Sequence, residues 1–192
     1  MNMTFSDKNK KEQKLMHLYE KTTESKIVYD GKIFKIKSDK VLLENNTEAV
    51  REVIMHHGGV CVLPLTENNE IIMVKQYRYP FSSVLLEIPA GKLNENEDHL
   101  ECGKRELLEE TGAVAEEMIY LGPIYPIPAY VTEQIHVYIA KGLSFHSQNL
   151  DADEFLDVVK IPFDEALRMV LDNEIKDGKT QIAIMKAGLM QK

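Results

Sequence analysis

The segment Gly91–Ala113 reads GKLNENEDHLECGKRELLEETGA. Glu97, Glu101, Glu106, Glu109 and Glu110 crowd into it, with Arg105 among them. A helix advances ~100° per residue, and a helix from about Asp98 to Thr111 puts Glu106, Glu109 and Glu110 on one face, three or four positions apart. Leu100, Gly103 and Leu107 fall on a neighbouring face that can bury against a sheet. Arg105 can bridge to Glu101 or to Glu109. Like-charge pairs at this spacing cost only about 0.2–0.5 kcal/mol each, so charge alone is compatible with a solvated surface helix. The flanks decide the reading. The preceding EIPAG is a strand ending in Pro-Ala-Gly, and Gly112 can supply a left-handed cap. Three glutamates and a backbone carbonyl are the oxygen ligands that a hard divalent cation takes. Such a cation polarises a phosphoryl group and acidifies a water.

Outward from this segment, SKIVYDGKIFKIKSDKVLLE alternates around Asp30-Gly31, a hairpin signal, and EAVREVIMHH reads as another strand. GVCVLPLT and IIMVKQYRY read as two core strands joined by a turn at residues 67–70. SSVLLEIPAG is a strand stopped by Pro89 and Gly91. Two strands flank a Pro-rich loop, in MIYLGPIYPIPAY and EQIHVYIAKGLSF. FLDVVKIP is a further strand. FDEALRMVLDN is an amphipathic helix that Pro162 can open, and TQIAIMKAGLM a closing helix. The pattern predicts mixed α/β, one layer of sheet sandwiched by helices.

With 192 residues the chain is long enough for one domain with a real core. Net charge is −8, from 31 acidic and 23 basic residues, which argues against a nucleic-acid footprint and is compatible with a site that recruits cations. Cys61 and Cys102 make no disulfide framework and read as small buried residues of a cytoplasmic protein. The first 20 residues carry no apolar signal region, and no run approaches the ~20 residues that span a bilayer.

The segment as a whole resembles the Nudix box. Gly91, five residues, Glu97, seven residues, Arg105-Glu106-Leu107, one residue, Glu109-Glu110, one residue, Gly112-Ala113 meets its glycine and charged positions, with Ala113 where a larger aliphatic is usual. The resemblance implies an α/β/α sandwich with a mixed sheet, and hydrolysis of a nucleoside diphosphate linked to another moiety with Mg²⁺ or Mn²⁺. It further implies Glu106, Glu110 and Glu109 as metal-binding carboxylates, with the Ala90 carbonyl beside them. Glu97 and Arg105 would form a structural ion pair, and Gly91 and Gly112 would shape the turns.

Beyond the box, Gln76-Tyr77-Arg78-Tyr79-Pro80 resembles the ADP-ribose pyrophosphatase branch. Pro128 lies where that branch has a marker proline, and Glu133 matches a glutamate of the same loop. The branch reads Ser-Pro-Gly where this chain reads Ile127-Pro128-Ala129, so a serine contact to substrate is absent here. The resemblance implies ADP-ribose as substrate, giving AMP and ribose 5-phosphate. Arg78 would act on the pyrophosphate, and Arg51, Glu52, Pro128 and Glu133 on the rest of the substrate. In the acidic stretch Asp151, Asp153, Glu154, the resemblance implies a metal-bound base, assigned to Glu154 with Glu133 as the alternative. His56 and His57 read as structural. Residues 1–14 are expected to form a flexible tail and 56–192 the hydrolase domain; the resemblance implies that 15–55 form a small antiparallel sheet that builds a homodimer and touches substrate. Hydrolysis of another nucleotide sugar or a dinucleotide, and a non-catalytic ADP-ribose sensor, are the competing readings.

Overall fold

The computed structural model describes residues 18–150 and 154–190. The expected tail, Asp151 and Asp153 lie outside the described residues. The chain divides into two units, one comprising residues up to His56 with Ala129–Thr132, the other His57–Pro128 with the chain from Glu133 onward.

The first unit is an antiparallel sheet of β1 (Lys21–Asp30), β2 (Lys35–Leu42) and β3 (Glu48–Met55), in that order. The β1–β2 hairpin turns where the Asp30-Gly31 signal places it, closed by Gly31 N–H donating to the Phe34 carbonyl at 3.1 Å. On the far side of β3, Ile54 N–H donates to Tyr130 O at 2.8 Å and Thr132 N–H to Ile54 O at 3.0 Å. Within this unit only Asp39 and Val41 are buried among the described residues. Asp39 accepts from Ser25 Oγ at 2.5 Å and Lys37 Nζ at 2.6 Å, so its buried carboxylate is compensated. All ten residues of β1 are exposed.

The second unit holds β4 (Gly59–Pro64), β5 (Glu70–Arg78), β6 (Ser83–Glu87), β7 (Ala90–Lys92), β8 (Ala113–Ile124), β9 (Ile135–Phe145) and β10 (Leu156–Pro162). Its helices are α1 (His99–Thr111), α2 (Phe163–Leu171) and α3 (Gly178–Met190). A mixed sheet runs β7-β4-β9-β8, with β4 and β9 parallel. The side chains of β4 alternate as a strand requires. Cys61 and Leu63 join the core under α2 and α3, with Phe163, Ala183 and Ile184. Val60 and Val62 join a second core under α1, with Cys102 and Leu107. Helices therefore cover both faces, the expected α/β/α arrangement.

The layer count differs from the single sheet expected. β5 pairs with β10 and β6 in a separate antiparallel sheet; among the described residues its backbone pairs with the β4 segment only at a bridge between Leu65 and Ile71. All six residues of β4 and the run Ile71–Val74 are buried. Strands covered on both faces need partners on both edges; β4 finds them in β7 and β9, β5 in β10 and β6. Pro162 stands at the cap of α2 rather than inside its first turn. Cys61 and Cys102 are unpaired and buried, and burial pushes both thiols up to about 12, which leaves them inert as nucleophiles. No helix among the described residues is long and apolar enough to cross a membrane.

Candidate active site

The acidic helix begins where its sequence says. The Asp98 side chain accepts from the N–H groups of Leu100 and Glu101 at 2.9 and 3.2 Å, a standard way of satisfying the orphan donors of a first turn. It ends at Gly112 with φ 70°, whose N–H donates to Leu108 O. Cys102, Gly103 and Leu107 face the mixed sheet, which turns the carboxylates toward the Pro-Ala-Gly turn.

Arg105 organises that face. It grips Glu97 through Nε–Oε1 at 3.0 Å and Nη2–Oε2 at 3.2 Å. Its Nη1 donates to Glu106 Oε1 at 2.7 Å and to Glu109 Oε2 at 2.9 Å. Glu97 also accepts from the N–H of Asn94 at 2.8 Å, so the loop is tied to the helix. The Arg105 hydrogen bonds hold the Glu97 carboxyl at about 2.

Glu106 and Glu110 are held differently. Glu110 is only 2% exposed. Burial first, then the charges of Glu154 and Glu106, raise its carboxyl to about 8. Burial also raises Glu106, against the pull of Arg105. The charge of Glu154, just before β10, acts on both; its Oε1 accepts from Gln76 Nε2 at 3.4 Å. Gly91 is required by Glu106: a β-carbon there would lie 1.9 Å from the Glu106 carboxylate. The neighbouring Ala90 is tied to Glu110 by its N–H, which donates to Oε2 at 3.3 Å.

Glu106 and Glu109 thus share Arg105, Glu110 meets the Ala90 N–H, and the charge of Glu154 reaches Glu106 and Glu110. Among the described residues, no three His, Cys, Asp or Glu side chains are gathered as a ready metal-binding group. Glu106 and Glu109 turn to Arg105 instead, and Glu110 to the Ala90 N–H. The donor set nevertheless fits a hard divalent cation: it is all oxygen, and buried carboxylates that raise one another are relieved by positive charge.

The remaining expected residues are carried by other elements. Arg78, at the end of β5, donates Nε and Nη2 to Glu87 at 2.6 and 2.7 Å, and its charge is felt at Glu110. Arg51 and Glu52 are on β3 of the first unit, where consecutive side chains face opposite ways. Arg51 there pairs with Glu20 at 2.6 Å. Pro128 and Glu133 lie in the loop between β8 and β9. Glu87 and Lys179 escaped sequence reading. A carboxylate inside the apolar run SVLLEIP was the available sign, because a buried charge needs a partner.

Oxygen ligands massed against a glycine turn suit a hard divalent cation, the charge that a phosphate anhydride needs beside it. The profile of the NUDIX domain matches residues 55–181, and the chain belongs to the Nudix family. It is 40% identical over 174 residues to a methanol dehydrogenase activator of Bacillus methanolicus, covering 90% of this chain and 94% of that one. It is 38% identical over 169 residues to an ADP-ribose pyrophosphatase of Bacillus subtilis, covering 87% and 91%. A GDP-mannose pyrophosphatase of Yersinia enterocolitica is 33% identical over 159 residues, covering 76% and 83%. The fold is similar to a crystal structure of an ADP compounds hydrolase, with TM-score 0.77 and 20% identity over 86% of this chain and 90% of that one. Nudix hydrolases generally use divalent metal ions.

Proposed function

We propose that the protein hydrolyses ADP-ribose to AMP and ribose 5-phosphate, with Mg²⁺ as its ion. The observation that carries this is the 38% identity to an ADP-ribose pyrophosphatase over 87% of the chain. The likeness to a GDP-mannose pyrophosphatase favours a second reading, hydrolysis of another nucleotide sugar. The relative named as a dehydrogenase activator names no substrate and does not weigh between them. A sensor that only binds has no need of Glu106, Glu109, Glu110 and Glu154 together.

The cation would be held by Glu106, Glu110, Glu109 and Glu154, with the Ala90 carbonyl, and would supply charge stabilisation and an acidified water. Glu154 takes the proton of the attacking water, held in place by Gln76; Glu133 is the alternative base. Arg105 orients Glu106 and Glu109, while Glu97 holds Arg105. Arg78 meets the pyrophosphate, for which its planar fork is suited. Water adds to one phosphorus, the bridging P–O bond breaks, and the bridging oxygen leaves on the other phosphate. Arg51, Glu52, Pro128 and Glu133 contact the remainder of the substrate.

We assign the β1–β3 sheet to pairing with a second copy of the chain, in a cytoplasmic homodimer. Its exposed Ile27, Val28 and Tyr29, with Ile33 in the β1–β2 turn, support this. Light scattering that gives the 22.0 kDa of one chain at micromolar concentration would exclude the dimer.

The activity is tested by turnover of ADP-ribose, ADP-glucose, GDP-mannose, NADH and diadenosine polyphosphates, each with Mg²⁺ and with Mn²⁺, with products read by mass. ADP-ribose is expected to give the highest kcat/KM. Another substrate leading by tenfold would overturn the ADP-ribose reading and leave the family standing. Ile127 removes a possible hydroxyl contact, so discrimination should be looser than in a site built on such polar pairs.

A further inference from the structure

Glu87 is 1% exposed at the end of β6, three residues before Ala90. It accepts the two hydrogen bonds from Arg78 and a third, to Oε2, from Lys179 Nζ. Lys179 also pairs with Asp177 at 3.0 Å. The next residue, Thr180, is fully buried. It accepts from the N–H of Ile88 at 3.0 Å and donates to Asp177 Oδ2 at 2.6 Å. The first turn of α3 therefore fixes both the Glu87 side chain and the backbone that follows it. Two carboxylates, Glu87 and Asp177, balance two cations, Arg78 and Lys179.

We propose that Lys179 is a positioning residue for the reaction: through Glu87 it fixes the Arg78 guanidinium, so that Nη1 is left to meet the pyrophosphate. This rests on the assignment of Arg78 to the pyrophosphate made above. A carboxylate this deep needs more compensation than one cation provides. With Lys179 in place, Glu87 shares its charge between two cations, and Arg78 engages it by Nε and Nη2 only. Its side chain stays 38% exposed. Without Lys179, Arg78 is the remaining cation on Glu87, and its guanidinium turns Nη1 toward the Oε2 position that Lys179 vacates, away from substrate. Because Arg78 meets a group present in ground and transition states alike, the loss falls on KM rather than kcat.

The test is a double-mutant cycle with Arg78→Ala and Lys179→Met, reading kcat and KM on the best substrate and circular dichroism on every variant. Lys179→Met is expected to raise KM about tenfold with kcat within about threefold, and to have no further effect in the Arg78→Ala background. Independent multiplication of the two effects, or a fall in kcat with KM unchanged, would overturn the proposal. An Arg78→Ala variant with unaltered KM on every substrate would instead remove the Arg78 assignment, and this inference with it. If Lys179→Met does not fold, Asp177→Asn runs the same cycle. Lys179 then bears on Glu87 alone and holds it more firmly, so KM falls about threefold in the parent and not in Arg78→Ala; a rise in the parent, or equal changes in both backgrounds, overturns the proposal.

Discussion

At Gly91 and at Glu97 single atoms decide the chemistry. The β-carbon of Gly91→Ala would strike the end of the flexible Glu106 side chain, which can swing aside without unfolding anything. Gly91→Ala should therefore melt within about 0.5 kcal/mol of the parent, yet lose about 100-fold or more in kcat, since Glu106 is displaced from the site. Equal turnover at saturating Mg²⁺ would dismiss Glu106 from its role. Glu97 makes the opposite prediction. Its folded carboxyl sits at about 2 against an ordinary 4.5, chiefly through Arg105. Its contribution to stability is then fully present above about 4.5 and lost as the pH falls toward about 2. Glu97→Gln should cost about 1–3 kcal/mol at neutral pH and flatten the stability profile across that acid window, as urea melts at a series of pH values would show. The Arg105 contacts were partly legible, since i,i+4 spacing allowed Glu109. The hold on Glu97 came from the family resemblance, because a pair eight positions apart depends on how the loop folds back.

At the level of elements, α1 was readable from end to end. Asp98 and Gly112 are recognisable stops because each satisfies backbone groups that the helix itself cannot. Gly112 is irreplaceable for two reasons: its φ is 70°, and a β-carbon would lie 2.2 Å from the backbone oxygen of His146. Unlike a side-chain end, that oxygen cannot move freely. Gly112→Ala should cost more than about 1 kcal/mol and lower the melting temperature together with activity, whereas Gly91→Ala lowers activity alone. The partition of β4 and β5 into two sheets was not legible. Both are short apolar runs, and periodicity cannot reveal the partners of a strand buried on both faces. Lys179 was hidden for a related reason: DGKT before an apolar helix reads as a surface start until β6 is seen to lie over it.

Across the whole molecule the two units differ in what holds them. The second has apolar cores on both faces of its mixed sheet. Among its described residues the first has two that are buried, one of them charged, and a three-stranded sheet needs an apolar face covered to stand alone. Denaturant should open the first unit at lower concentration than the second, so that hydrogen exchange at the β1–β3 amides rises before exchange at the β4 and β9 amides. One coincident transition would refute separate stability. That sheet was foreseen as strands from its alternation, but not its pairing with Tyr130–Thr132, which lies some seventy-five residues along the chain.

The open strand β1 carries Lys21 and Lys26, and Lys32 and Lys35 flank its turn. Trypsin needs an extended, accessible backbone, and β1 offers one. If a second copy covers this sheet, the rate of nicking should fall as the protein is concentrated, because the open form becomes rarer by mass action. The ageing of a dilute stock would then begin at β1, with loss of the segment before Ile36, while the hydrolase unit remained folded.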